Sequence, residues 1–177
     1  DFCLSRGLGD VYKRQFLGKV SGADALFLTA PTYVLAVPGA MKLVMDRYLA
    51  MYERIREHYG RPAVSVGIGG PLGWEQFQLP LMNLFLLAFG FEVVDSFMVY
   101  GAGPGQALLD DEAVSRVRNG VGNLLAYQHR LFESQTSRHC PVCYSTLFER
   151  LEARKYRCPV CAVEAEERPD GFYFASD

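Results

Sequence analysis

The chain has 177 residues, 50% of them hydrophobic and 21% charged, with a formal net charge of −2. That length supports one core plus a small appendage. The near-neutral balance gives no footing for nucleic acid or an anionic membrane surface. No apolar run reaches the roughly 18 residues of a membrane span. The composition therefore predicts a soluble, cytoplasmic domain.

Ser5 to Gln15 reads as a translated sequencing adapter, so residues 1–15 are set apart from the fold. Natural sequence is expected to begin near Phe16. Ala25 to Thr29 is a short apolar run without charge, as in a strand buried on both faces. Pro31 ends it, because proline cannot donate to a sheet ladder. Gly39 then opens a helix after Pro38. Met41, Val44, Met45, Tyr48, Leu49 and Tyr52 form one stripe at helical period.

Ala63 to Ile68 reads as a second buried strand, and Gly69-Gly70 turns the chain at its carboxyl end. Trp74 to Phe89 reads as a helix stopped by Gly90. Its part from Leu79 to Phe89 is apolar nearly all round, which suits a buried helix or, slightly better, a subunit interface. Phe91 to Tyr100 is the next strand. Asp110 and Asp111 suit the start of a helix, whose face is Val114, Val117, Val121, Leu124, Leu125 and Gln128. Strand–helix alternation at this spacing predicts an α/β fold with a parallel sheet.

The block ADALFLTAPTYVLAVPGAMKLVMDR, residues 23–47, resembles the NAD(P)H-dependent FMN reductase family, which is flavodoxin-like. The resemblance covers roughly Val20 to Leu131. It implies that Pro31, Thr32, Tyr33 and Val34 line the isoalloxazine ring of FMN. It also places the Gly69-Gly70 turn beside the flavin, where glycine lets a backbone approach closely. NAD(P)H is the implied reductant, and a homo-oligomer the implied assembly. No catalytic residue is assigned. His58, His129 and His139 make no nucleophile–base set, which fits chemistry carried by a cofactor. Gly101-Ala-Gly-Pro-Gly105 is not a G-x-G-x-x-G fingerprint. The resemblance further implies that the family's first strand, phosphate-binding loop, first helix and second strand lack counterparts here. The expected site is the ring side of a flavin pocket, and strong FMN binding by this stretch alone is not expected.

The tail carries Cys140-Pro-Val-Cys143 and Cys158-Pro-Val-Cys161. Two C-x2-C pairs can supply four thiolates in a tetrahedron. This resembles a zinc ribbon, with Thr146–Glu149 and Arg154–Arg157 pairing between the turns. Rubredoxins bind iron with similar pairs, often with a glycine after each. Tyr144 and Ala162 take those places here, which favours zinc with iron as the alternative. From Ser134 to Asp177 there are six Lys/Arg and seven Asp/Glu, which argues against phosphate binding. The expected organisation is therefore 1–15 non-native, 16–133 a partial flavodoxin-like FMN domain, and 134–177 a linker and zinc-ribbon-like domain. The expected activity is NAD(P)H-dependent FMN oxidoreduction. The alternatives are an electron carrier with a rubredoxin-like iron and a non-enzymatic adaptor that binds protein through a structural zinc ribbon.

Overall fold

The structure is a computed structural model and describes residues 15–16, 18–20, 22–46, 59–128 and 133–176. The expected continuation of the first helix through Tyr48, Leu49 and Tyr52, and also His58 and His129, lies outside the described residues.

Three strands, β1 (Leu26–Pro31), β2 (Pro62–Gly69) and β3 (Glu92–Tyr100), form a sheet in the order β1-β2-β3. Both pairings are parallel, with Leu28 opposite Ser65 and Val66 opposite Phe97. β2 is central, and its Ala63, Val64, Ser65 and Val66 are all buried. That double burial is why it reads as a Val-rich, uncharged run with Ser65 its one polar residue. The outer edge of β1 pairs with no strand among the described residues.

Helices cover both faces. α1 (Gly39–Met45) and α2 (Gln78–Ala88) lie on the face that carries Leu26, Leu28 and Ala63, with Phe85, Leu86 and Phe89 at the centre of the contact. α3 (Asp111–Leu125) lies on the opposite face, over Val64, Val66, Phe97 and Val99. The Asp110 carboxylate caps α3, accepting from the Glu112 and Ala113 amides.

Two helices depart from expectation. α2 begins at Gln78 rather than Trp74. Gly73 stands at φ +85°, the Trp74 amide donates to the Glu75 carboxylate, and the Phe77 amide donates to the Leu35 carbonyl. Those bonds hold 74–77 as a loop. The buried line of α3 is Ala113, Gly120 and Leu124 with Val117 beside it, while Val121 and Leu125 are exposed. Gly120 sits where the helix comes closest to the sheet: a Cβ there would lie 2.9 Å from the Phe97 ring.

The tail forms a second sheet of five antiparallel strands, ordered β4-β8-β7-β6-β5. They are β4 (Gln135–Ser137), β5 (Glu149–Glu152), β6 (Lys155–Arg157), β7 (Glu164–Arg168) and β8 (Gly171–Phe174). The stretch expected as a linker is thus partly the edge strand β4. The first strand of the hairpin is 149–152 rather than 146–149, because Cys143 to Phe148 is occupied by the cysteine turn and its exit. Phe148 packs on Phe172 and Phe174, with ring centroids 4.4 and 5.9 Å away, as a small aromatic core.

α2 is apolar nearly all round, and much of that surface is covered within the chain, although Leu84 stays 38% exposed. Phe85 and Phe89 meet the sheet, and Leu87 meets the cysteine cluster.

Candidate functional site

A cavity of about 690 Å³ opens at the carboxyl end of the sheet and runs along its α3 face. In open α/β sheets ligands bind at this end of the strands. Pro31, Thr32, Tyr33 and Gly70 line the cavity mouth. Phe27, Val66 and Val99 form its apolar wall, and Val114, Val117 and Arg118 of α3 close the far side. The loop after β3, Gly101 to Gly105, contributes every one of its residues.

The expected residues therefore do not all converge. Val34 stands at the tip of a turn and is 83% exposed, outside the cavity lining. Gly69 is buried against Tyr100: a Cβ there would meet that ring at 3.1 Å. Its lack of a side chain serves packing. The Gly101–Gly105 loop matters more than its sequence pattern suggested. The usable signal was its position, directly after a strand, like Gly69-Gly70.

The turn at the mouth is strained. Tyr33 and Ala36 exchange backbone hydrogen bonds of 2.8 and 3.3 Å around Val34 and Leu35. Both central residues have positive φ, +49° and +70°. A two-residue turn of this hand normally takes Asn-Gly, and a β-branched residue there is an outlier. Thr32 Oγ1 is buried beside it without a hydrogen-bond partner. A buried orphan hydroxyl lining a cavity is suited to a polar atom of a ligand. Around the mouth Tyr33, Val34, Leu108 and Leu109 are exposed, as are Leu72, Trp74 and Phe77 on the neighbouring loop. Tyr100 donates to Glu75 across 3.0 Å, and burial, then Glu75, raises its phenol above the ordinary value.

On the other side of α2, the Sγ atoms of Cys140, Cys143, Cys158 and Cys161 all lie within 4.8 Å of one another. The Cys140–Cys161 and Cys143–Cys158 separations are both 3.3 Å, far beyond the roughly 2.05 Å of a disulfide. Four thiols gathered in this way match the donor set of a tetrahedral Zn²⁺ site. Each C-x2-C pair closes on itself in the same manner. Tyr144 N donates to Cys140 O and Ala162 N to Cys158 O, each at 2.9 Å. Tyr144 and Ala162 are left-handed, at φ +57° and +63°. The missing glycines therefore do not separate zinc from iron, since both positions take the glycine-like conformation anyway. Left to themselves the thiols cannot all ionise. Hydrogen bonds from Cys143, then Cys161, lower Cys140 to about 2, while the same contacts push Cys143 up and Cys161 to about 12. A divalent cation removes that conflict.

Asp95 of β3 is held in a bidentate pair with Arg116 of α3, at 2.6 Å on both arms, with Asn123 donating at 3.0 Å. Burial works to raise this carboxyl, but the Arg116, Asn123 and Ser96 donors outweigh it and the net shift is downward. The pair fastens α3 to β3 behind the cavity wall.

An open parallel sheet covered on both faces, with a cleft at its carboxyl ends, defines a flavodoxin-like α/β protein, here joined to a four-cysteine module. Residues 10–103, more than half of the chain, match the family described as NADPH-dependent FMN reductase, and the chain belongs to that family. It is 25% identical over 174 residues to flavone synthase cfoJ of Aspergillus candidus, an alignment covering 84% of this chain and 54% of that protein. The chain thus spans about half the length of the curated relative it matches. Its fold is similar to that of a flavone reductase (TM-score 0.63, 19% identity, 93% of this chain and 64% of the other). It is also similar to the Trp repressor binding protein from Bacillus subtilis (TM-score 0.55, 16% identity, 62% and 75%). At 93% coverage the first likeness must run into the cysteine module.

Proposed function

We propose that the intact protein is an FMN-dependent oxidoreductase that takes reducing equivalents from NAD(P)H and delivers them to a flat, apolar acceptor. One coincidence carries the reading: Pro31, Thr32, Tyr33 and Gly70, which line the cavity mouth, fall inside the family-matched residues. Bound FMN would supply hydride and electron transfer. The chain's own residues supply position. Tyr33 offers a ring face for stacking, with Val34 beside it. Thr32 Oγ1 offers a hydrogen bond that nothing among the described residues satisfies. Gly70 and the Gly101–Gly105 loop, which line the cavity, let backbone approach a planar ring. The wall of Phe27, Val66 and Val99 excludes water.

The acceptor class rests on the apolar rim, where Trp74 and Leu108 are exposed, and on the names of the flavone synthase and flavone reductase relatives. In this reading residues 16–133 form the flavin domain and 134–177 the metal module, copies self-associate, and the protein works in the reducing cytoplasm. The metal is structural zinc. The cysteine cluster packs on the outer surface of α2, whereas the cavity lies on the opposite face of the sheet. That separation disfavours iron passing electrons to the flavin.

Quenching of flavin fluorescence on titration of the zinc-loaded protein into FMN tests the binding step. NADPH oxidation with a flavone as acceptor tests the turnover. Absence of FMN binding by the zinc-loaded intact protein would sink the proposal.

A further inference from the structure

Asn83 is the one polar side chain between Leu79 and Ala88 of α2, and it is fully buried. A polar group in such a place must be matched or it costs stability. Asn83 is matched completely. Its Oδ1 accepts from Ser65 Oγ of β2 at 2.6 Å. Its Nδ2 donates to Ser96 Oγ of β3 at 2.9 Å and to the carbonyl of Cys143 at 2.7 Å. One amide thus ties two sheet strands to the backbone of a metal-ligating residue 60 positions away. The next residue is tied as well: Tyr144 Oη donates to the Val94 carbonyl of β3 at 2.7 Å.

The second cysteine turn is a useful contrast. Its internal bonds repeat those of the first, with Cys158 N donating to Val163 O as Cys140 N donates to Ser145 O. Among the described residues, no hydrogen bond of Cys158 to Val163 reaches the α/β sheet. Anchoring is therefore not what makes a turn of this shape. It is an added connection, made only by the turn that faces α2.

We infer that Asn83 is a positioning residue of the metal centre, so that cation binding in the tail and packing of α2 on the sheet form one linked equilibrium. The inference rests on the structural-metal reading given above. When the cation holds the Cys143 turn closed, Asn83 has its acceptor. When the turn opens, the Asn83 N–H is left buried without one, and the sheet side is destabilised. Linkage is reciprocal. The Asn83 contact must raise cation affinity by the same factor that the cation stabilises the contact.

The test uses the full chain, with Zn²⁺ affinity measured by competition against a chromophoric chelator. Asn83→Leu keeps the volume and removes the amide, and Zn²⁺ affinity is expected to fall about tenfold or more, as for lost outer contacts of metal ligands. Ser65→Ala removes a partner of Asn83 but not the Cys143 contact, and is expected to lower stability with Zn²⁺ affinity kept. Hydrogen exchange supplies the readout that a merely structural role would not move. In the parent, chelation should speed exchange of α2 and β3 amides, and in Asn83→Leu that response should shrink to what the Tyr144–Val94 bond and the Leu87 packing still transmit. Tyr144→Phe reads the same linkage from the other anchor if Asn83→Leu does not fold. Equal Zn²⁺ affinity in parent and anchor variants, or α2 amides indifferent to chelation, overturns the inference. A parent chain that binds no Zn²⁺ at all refutes the structural-metal reading, and the inference falls with it.

Discussion

The strained turn at the cavity mouth makes a quantitative expectation. Val34 holds φ +49°, and the left-handed region costs an L-residue about 1–2 kcal/mol. Asparagine tolerates it far better and is favoured at the first central position of such turns. Val34 is 83% exposed, so its replacement forfeits little burial. Val34→Asn should therefore stabilise the protein by about 1 kcal/mol, or about 2–4 °C in Tm for a chain of this size. Val34→Ala removes the β-branch but lacks the local hydrogen bonding that lets asparagine tolerate this conformation, and should recover less. Thermal and urea unfolding of the three proteins, each loaded with zinc, measure this. If valine is retained as a flavin contact, FMN affinity should fall in Val34→Asn while stability rises, the pattern expected where strain serves a site. An asparagine variant no more stable than the alanine variant would refute the strain argument. Unchanged FMN affinity would remove Val34 from the ring site and leave the strain argument standing.

Gly120→Ala should destabilise by about 1–3 kcal/mol, because the new Cβ would lie 2.9 Å from the Phe97 ring; unchanged urea unfolding would show that α3 can move away freely. Cys158→Ser should lower Tm to that of the chelated parent, and chelator should then have no further effect on the variant. The Asp95–Arg116 pair gives a pH expectation. The Asp95 carboxyl is held below its ordinary value, so its contribution is fully present above the unfolded value of about 3.9 and is lost as pH falls through the folded value. Arg116→Met removes the strongest opposition to burial, leaving only the Asn123 and Ser96 donors, and so raises that carboxyl. The stability gap between parent and variant should be widest near neutral pH and narrow below about pH 4; a gap independent of pH would remove the ion pair from the account.

How much of this was legible depended on whether the signal was local. The cysteine cluster was legible because the pairs that bring four thiols together are encoded in short spacing. β2 was legible because burial on both faces leaves a Val-rich, uncharged run from Ala63. The end of α2 was marked by Gly90, which takes φ +82°. The start of α2 was missed because the bonds that hold 74–77 as a loop reach to Leu35 and Tyr100, far away in sequence. The buried face of α3 was misjudged for a different reason. A periodicity argument weights large apolar residues, yet the closest approach uses Ala113 and Gly120, which owe their positions to smallness. The cavity shows the same limit. Pro31 to Tyr33 stood out as a motif, whereas Val114, Val117 and Arg118 become lining residues only once α3 has docked.

The twofold covering of α2 also has a consequence in time. Cys143 follows Asn83 by 60 residues. At a synthesis rate of about 5–20 residues per second, the outer side of this greasy helix emerges seconds before anything in the chain can shield it. If the cluster holds zinc as proposed, the turn that shields it closes only after Cys158 and Cys161 have been made and a cation has arrived. A nascent chain short of metal would then present an apolar helix to its surroundings for longer, open to aggregation or chaperone capture.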